Sequence, residues 1–239
     1  MAILQHLYEI RQRAIHSVVV FISVFVVCYY FSNAIFVAAS KPILSHAAPN
    51  VQIIATQVTT SFMVPLHLSF MCAILICAPY LLYQIWMFIR PGLYKHERKN
   101  IAPILILSTL LFYVGILFAI LLICPLALNF FTHCAPDGVM IMLDITSYID
   151  FIINIALASG IAFQIPIITS VAIRTGIVTK QQLIAKRRHI IVLAFVLGML
   201  LAPPDVISQI LLALPIWGLF ELGLLVSFSK KNDNIILAK

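Results

Sequence analysis

Charged residues are scarce in this chain. Only 10% of its 239 residues are Asp, Glu, Lys or Arg, and 63% are hydrophobic. Soluble domains are about half apolar and about a quarter charged, so the composition excludes that class and indicates a helical membrane protein. The net charge of +7 does not indicate nucleic-acid binding. Its cations lie in short segments beside apolar runs, where membrane topology explains them.

Motifs for metal binding and catalysis are also missing. The five cysteines form no CxxC and the seven histidines form no pair at helical spacing, so we predict no metal site, cofactor or disulfide framework. Neither GxSxG nor HExxH occurs, so no enzyme is predicted. Two alternatives stay open: an intramembrane hydrolase using Ser159 and His189, and a small-solute transporter using Gln164 and Glu221. The absence of internal repeats argues against the transporter.

Long apolar runs are abundant, and they predict a single membrane domain over residues 1–239. The six predicted spans cover residues 17–39, 66–89, 101–123, 151–173, 190–202 and 206–228. The fifth run is short, because 13 helical residues extend over about 20 Å and the hydrocarbon core is about 30 Å thick. Residues 1–16 show the apolar periodicity of a separate amphipathic helix on the membrane surface.

Lysine and arginine fix the predicted orientation. Six spans place both termini on one side, together with 14 of the 15 basic residues, so that side is predicted to be cytoplasmic. The densest polar stretch, residues 84–100, carries four cations and a single carboxylate, Glu97. This carboxylate is explained either by a helix start and basic neighbours, worth about 0.3–1 kcal/mol, or as a docking point for guanidinium groups.

A few polar residues interrupt or border the apolar runs. Gln164, close to Pro166, indicates either a hydrogen bond between helices worth about 1 kcal/mol or the polar floor of a water-filled cleft. Glu221 extends to the membrane interface, faces a cavity or binds a polar group on another helix. Asp205 is typical of a helix N-cap, and Thr179 is predicted to cap a short helix that follows it.

Several motifs resemble one family along essentially the whole chain. They are HLYEIRQR at residues 6–13, the segment around residues 41–42, YQIWMFIRPGLYKHERK at 83–99, FQIP at 163–166 and GMLLAPPDVISQ at 198–209. They are similar to the TatC family, the six-span receptor subunit of the twin-arginine protein translocase.

The resemblance implies an all-α membrane protein with six transmembrane helices in a glove-shaped bundle, short fifth and sixth spans, and both termini in the cytoplasm. It implies a non-enzymatic protein of the cell inner membrane that binds twin-arginine signal peptides of folded proteins. Its implied partners are TatA- and TatB-type single-span subunits and further copies of itself. Transport is expected to use the proton motive force.

The resemblance also implies roles for individual residues. Signal-peptide contacts are implied for Glu97, Gln164, Glu9, Arg11, Phe88 and Tyr94. Translocation roles are implied for Pro42, Asp144 and Asp205, and docking of a TatB-type partner for Met199 and Leu200. At residue 164, relatives often carry Glu. The amide of Gln164 still accepts a hydrogen bond, but without charge assistance.

Overall fold

Helices dominate the computed structural model, which describes residues 2–37, 52–89, 101–133, 142–201 and 206–236. The helices are α1 Ala2–Tyr30, α2 Thr60–Ile89, α3 Ile101–Phe118, α4 Cys124–His133, α5 Ile145–Ala162, α6 Ile165–Arg174, α7 Lys180–Ala185, α8 Arg187–Leu201 and α9 Val206–Ile236. Two three-residue strands, β1 Gln52–Ile54 and β2 Met142–Asp144, are also present among the described residues. The predicted class, an all-α membrane protein, is confirmed.

Within the described residues, four helical stretches are long and apolar enough to cross a membrane. They are Tyr8–Tyr30, Thr60–Ile89, Ala102–Leu128 and Ile145–Ile173. The fifth and sixth predicted spans fall on α8 and α9. Helix α8 has 15 residues and extends over about 22 Å, so the fifth helix is short, as expected. A shorter apolar stretch, Gln209–Leu225, lies within α9.

The first helix differs from its prediction. We expected a surface helix over residues 1–16 and a separate span from residue 17, whereas α1 is continuous from Ala2 to Tyr30. The reason is local, because residues 2–30 contain neither proline nor glycine to end the helix between the polar and apolar parts.

The third helical stretch also extends beyond its predicted end. A π-helical segment, Ala119–Ile123, joins α3 to α4, and the Cys124 N–H bonds the carbonyl of Ala119, five residues earlier. In a regular helix the Pro125 ring would clash with the carbonyl four residues before it. A wider turn at this point lets the helix continue past Pro125 into residues that we expected to be a loop.

The chain divides into two compact units. Unit 1 consists of Met1–Ile89 and Leu128–Ile153, and unit 2 of Arg90–Ala127 and Asn154–Lys239. In unit 1, β1 pairs in parallel with β2, with Gln52 opposite Met142 and Ile54 opposite Asp144. We call the end of unit 1 that carries these strands the strand end.

Helices α1 and α2 pack antiparallel in unit 1. Arg13 contacts Gln84, and the Ser69 hydroxyl donates to the carbonyl of Cys28. Moving 15 residues forward along α1, from Arg13 to Cys28, therefore moves the contact 15 residues back along α2. Between these points the ring of Phe70 meets Phe21 and Phe25 edge-on, so aromatic packing fills the seam.

Glycine sets the distance between helices in unit 2. A Cβ added at Gly115 on α3 would lie 2.8 Å from the carbonyl oxygen of Ser159 on α5. At Gly160 it would lie 2.9 Å from the ring of Phe112. At Gly223 on α9 it would lie 2.9 Å from Pro166 Cα. These three contacts leave no room for a side chain.

The segment between α6 and α8 follows the predicted capping pattern. Thr179 caps α7: its hydroxyl accepts from the Gln182 N–H at 3.4 Å, and its own N–H donates to the Gln182 side chain at 2.9 Å. This reciprocal pair is a capping box and confirms Thr179 as the cap. Helix α6 ends before Gly176, whose φ of 71° suits glycine.

We predict that Gly115→Ala lowers the free energy of unfolding by about 1–3 kcal/mol relative to Gly218→Ala, because the new methyl group must displace the backbone of α5. Gly218 is the matched control, since nothing lies within 4 Å of a Cβ added there. Any gain in helix propensity is common to both variants. The measurement is unfolding of each purified variant in detergent, and equal stabilities would contradict the packing argument.

Candidate functional site

The predicted site residues are only partly described by the structure. Glu97, Tyr94, Pro42 and Asp205 lie outside the described residues. The others fall on four elements and one helix break: Glu9 and Arg11 on α1, Phe88 on α2, Asp144 on β2, Met199 and Leu200 on α8, and Gln164 between α5 and α6.

A polar network joins α1 to α2 at the end of unit 1 opposite the strands. The Arg13 guanidinium donates to Glu9 Oε1 through Nε at 3.1 Å and Nη2 at 2.8 Å. Its Nη1 donates to Gln84 Oε1 at 3.1 Å, and Gln84 Nε2 lies 2.8 Å from the Tyr80 hydroxyl. Glu9 thus already holds one guanidinium group, and the network fixes the register of the two helices.

The helix register brings two predicted residues to the same level. A step of four residues back along α1, from Arg13 to Glu9, corresponds to four residues forward along α2, from Gln84 to Phe88. Arg11 is exposed on the same stretch of α1. Helix α2 ends one residue later, at Ile89, inside the polar stretch of residues 84–100 that contains Glu97.

Sequence reasoning missed three members of this network. Arg13, Gln84 and Tyr80 were not predicted as site residues. The spacing of Glu9 and Arg13, four apart on a helix, was a signal for their ion pair. Tyr80 and Gln84 have the same spacing. No local signal indicated the contact between Arg13 and Gln84, which are 71 residues apart.

Gln164 lies at the break between α5 and α6 and is 8% exposed. Its Nε2 donates to the carbonyl of Ser108 on α3 at 2.9 Å, and its Oε1 accepts from the Ser108 hydroxyl. Ser108 is fully buried. Both ends of the amide are therefore bonded to one residue of a neighbouring helix, which is the interhelical hydrogen bond that we considered for this position.

Glu221 on α9 binds Arg187 at the start of α8. The Arg187 Nη2 donates to Glu221 Oε2 at 2.7 Å. Of the interpretations of Glu221, binding to a polar group on another helix is the one observed. The pair holds together the two helices on either side of residues 202–205.

The predicted docking residues lie on α8, where Met199 is 66% exposed. Next to it, a Cβ at Gly198 would lie 3.1 Å from the carbonyl oxygen of Gln209 on α9. Gln209 Nε2 donates to the carbonyl of Phe195 at 2.9 Å. Helix α8 therefore packs closely against α9, and Met199 is exposed on α8.

Asp144 is the N-cap of α5 at the strand end. Its Oδ2 accepts from the backbone N–H of Ser147 at 3.2 Å, and its Oδ1 accepts from the Thr56 hydroxyl at 2.9 Å and the Thr56 N–H at 3.3 Å. The hydrogen bond from the Ser147 backbone lowers the pKa of Asp144 below its usual range, and the bonds from Thr56 act in the same direction. Asp144 thus connects the segment after β1 to the start of α5.

The fold and its apolar helices define a multi-pass helical membrane protein. A family model described as "Sec-independent protein translocase protein (TatC)" matches residues 5–215. The chain therefore belongs to the TatC family of protein translocase components.

Relatives and solved structures agree with this family. The chain is 47% identical over 233 residues to the Sec-independent protein translocase protein TatC of Haemophilus influenzae, covering 97% of this chain and 91% of that protein. It is 41% identical over 225 residues to TatC of Escherichia coli K12, covering 94% and 87%. A crystal structure of the twin-arginine translocase receptor TatC in DDM superposes with a TM-score of 0.85 at 36% identity, covering 93% of this chain and 99% of that one.

We predict that Asp144→Asn loosens the strand end in a pH-dependent way. A carboxylate with a lowered folded pKa stabilises the folded state above its usual pKa, and this contribution is lost as the pH falls through the lowered value. Amide exchange of residues 52–56 should therefore be faster in Asp144→Asn than in the unmodified chain at neutral pH. The difference should shrink below about pH 4. A difference that persists unchanged in acid would contradict this account.

Proposed function

We propose that this chain is the receptor subunit of a twin-arginine translocase. It binds the twin-arginine signal peptides of folded proteins without catalysing a reaction, and exports those proteins together with TatA- and TatB-type single-span subunits. Membership of the TatC family supports this function, as does similarity to crystal structures named as the twin-arginine translocase receptor.

The proposed topology is one six-span domain in the cell inner membrane with both termini in the cytoplasm. The end of unit 1 that carries Glu9, Arg11 and Arg13 then faces the cytoplasm, and the strand end faces outward. The distribution of basic residues supports this orientation, because 14 of 15 fall on the predicted cytoplasmic side.

The register of α1 and α2 is the observation that carries the binding proposal. It brings Glu9 level with Phe88 at the end of α2, from which the segment with Tyr94 and Glu97 departs. We propose that these residues and Arg11 form the signal-peptide surface. Glu97 is its principal acceptor of a guanidinium group, because Glu9 already binds Arg13.

The remaining predicted residues complete the proposed mechanism. Pro42, Asp144 and Asp205 serve translocation from the outer face, and Met199 with Leu200 docks a TatB-type subunit. The exposure of Met199 on α8 supports docking there, because a large apolar side chain is available to a partner within the membrane. Several copies assemble into the active complex, and transport uses the proton motive force.

We predict that Glu97→Gln weakens binding of a twin-arginine peptide by about tenfold, or 1.4 kcal/mol, because the amide keeps the shape but not the charge. The measurement is the concentration dependence of site-specific crosslinking to the full chain in membranes. A peptide with two lysines in place of the arginines should bind weakly to both forms.

Glu221→Gln is the matched control, because it removes a carboxylate that binds Arg187 on a different pair of helices. Its binding curve should overlap that of the unmodified chain. If Glu97→Gln also binds normally, with the protein correctly inserted, Glu97 is not the arginine acceptor.

A second prediction separates two roles of Gln164. An amide oxygen has two acceptor sites, and Ser108 occupies one of them. If Gln164 contacts the peptide, Gln164→Leu weakens crosslinking several-fold, whereas Ser108→Ala leaves it unchanged. Ser108→Ala should lower stability by about 1 kcal/mol, because it removes the hydrogen bond from the Ser108 hydroxyl. Gln164→Leu should lower it further, because it also removes the bond from Gln164 Nε2 to the Ser108 carbonyl. Equal binding by both variants would remove Gln164 from the peptide surface.

A further inference from the structure

A series of polar contacts descends from the strand end of unit 1 into its helices. The series begins at the pairing of β1 with β2 and continues with the contact between Asp144 and Thr56. Below these, the Thr146 hydroxyl lies 3.2 Å from the Thr60 hydroxyl. The deepest contact joins His67 Nδ1 on α2 to Asp150 Oδ1 on α5. This series joins residues 52–67 to residues 142–150, and none of the proposed peptide contacts depends on its last pair.

The His67–Asp150 pair lies inside the apolar helices. His67 is the eighth residue of α2 and Asp150 the sixth of α5, which places both about 8–11 Å from the helix starts. Both helices belong to stretches long and apolar enough to span a membrane. The two side chains remain 32% and 42% exposed. Ionisable groups at such positions are costly unless paired, and each is the partner of the other.

Asp150 is the charged group that the described structure shows against His67. Other titratable side chains lie toward the strand end of α1, α2 and α5. They are thiols, phenols and the carboxylate that caps α5: Cys28, Cys72, Tyr29, Tyr30, Tyr148 and Asp144. Thiols and phenols are ordinarily neutral near pH 7.

The charged residues of α1 lie at its opposite end. A step of 17 residues from Gln84 to His67 corresponds to a step from Arg13 to Tyr30, or about 25 Å. The interaction of His67 with charge is therefore dominated by Asp150.

We propose that His67 and Asp150 form a proton-binding site, in exchange with water at the strand end, that controls how strongly α2 is held to α5. With a proton on the imidazole and none on the carboxylate, the pair is an ion pair. Loss of the imidazole proton to water leaves a neutral ring beside a carboxylate and weakens the attraction. In acid, the carboxylate gains a proton and becomes neutral, which also removes the attraction. Histidine is the side chain that commonly serves as a pH switch in proteins, so the junction responds to external pH.

The test is a double-mutant cycle in the full chain, with His67→Gln, Asp150→Asn and the double variant unfolded in detergent at pH 6 and pH 9. The coupling between the two positions is expected to change the unfolding equilibrium about threefold to tenfold at pH 6. The coupling is expected to change the unfolding equilibrium less than about twofold at pH 9, because the proposal requires the attraction to weaken when the imidazole loses its proton.

Two further sets of variants make the test specific. His67→Lys carries a cation at both pH values, so its coupling to Asp150 should be the same at pH 6 and pH 9. This variant also preserves the test if His67→Gln does not fold. A cycle with Thr60→Val and Thr146→Val is the matched control, because it removes a neutral contact of the same series and should show no change with pH.

The proposal is overturned if the His67–Asp150 coupling is equal at the two pH values, or if no coupling is measured at either. It is also overturned if the His67→Lys variant keeps the pH dependence of the unmodified chain. None of these results bears on signal-peptide binding, which is measured separately at Glu97.

Discussion

A polar side chain within an apolar helix must find a partner, and this constraint organises the described structure. In hydrocarbon no water replaces a missing hydrogen bond, so the partner has to come from the protein. Ser69 bonds Cys28, and Gln164 bonds Ser108. Each of these contacts joins different helices, and each therefore fixes where one helix lies along another.

The apolar surfaces of the helices cannot fix such positions alone, because one apolar contact resembles the next and lipid is as apolar as leucine. Close approach through glycine adds a second constraint. At Gly115 and Gly160 the helices of unit 2 come so near that added side chains would meet backbone or ring atoms. Hydrogen bonds set the register, and small residues set the distance.

The same constraint shapes the candidate site. Arg13, rather than a residue predicted from the motifs, ties Glu9 to α2 and so brings the N-terminal motif beside the end of the helix that precedes Glu97. The proposed surface for paired arginines needs acceptors whose positions are fixed before a peptide binds, since disorder would cost binding energy. The hydrogen bonds of Arg13 supply that rigidity for α1 and α2.

Much of the fold follows from local properties of the chain. The apolar runs predict the long helices, Thr179 predicts the start of α7, and the short fifth run predicts the short α8. The misses have local causes as well. Helix α1 continues because no breaker interrupts it, and a π-helical turn carries the third stretch past Pro125. Motifs alone indicated Glu9, Phe88 and Gln164, but not their partners Arg13 and Ser108.

The amino-acid sequence by itself determined the class, the helices and the family, because composition, apolar length and motif spacing are properties of neighbouring residues. Only the tertiary structure decided which polar groups meet. Arg13 and Gln84 are 71 residues apart, and Thr56 and Asp144 are 88 apart. No local pattern relates such distant positions, since their meeting depends on how whole helices pack.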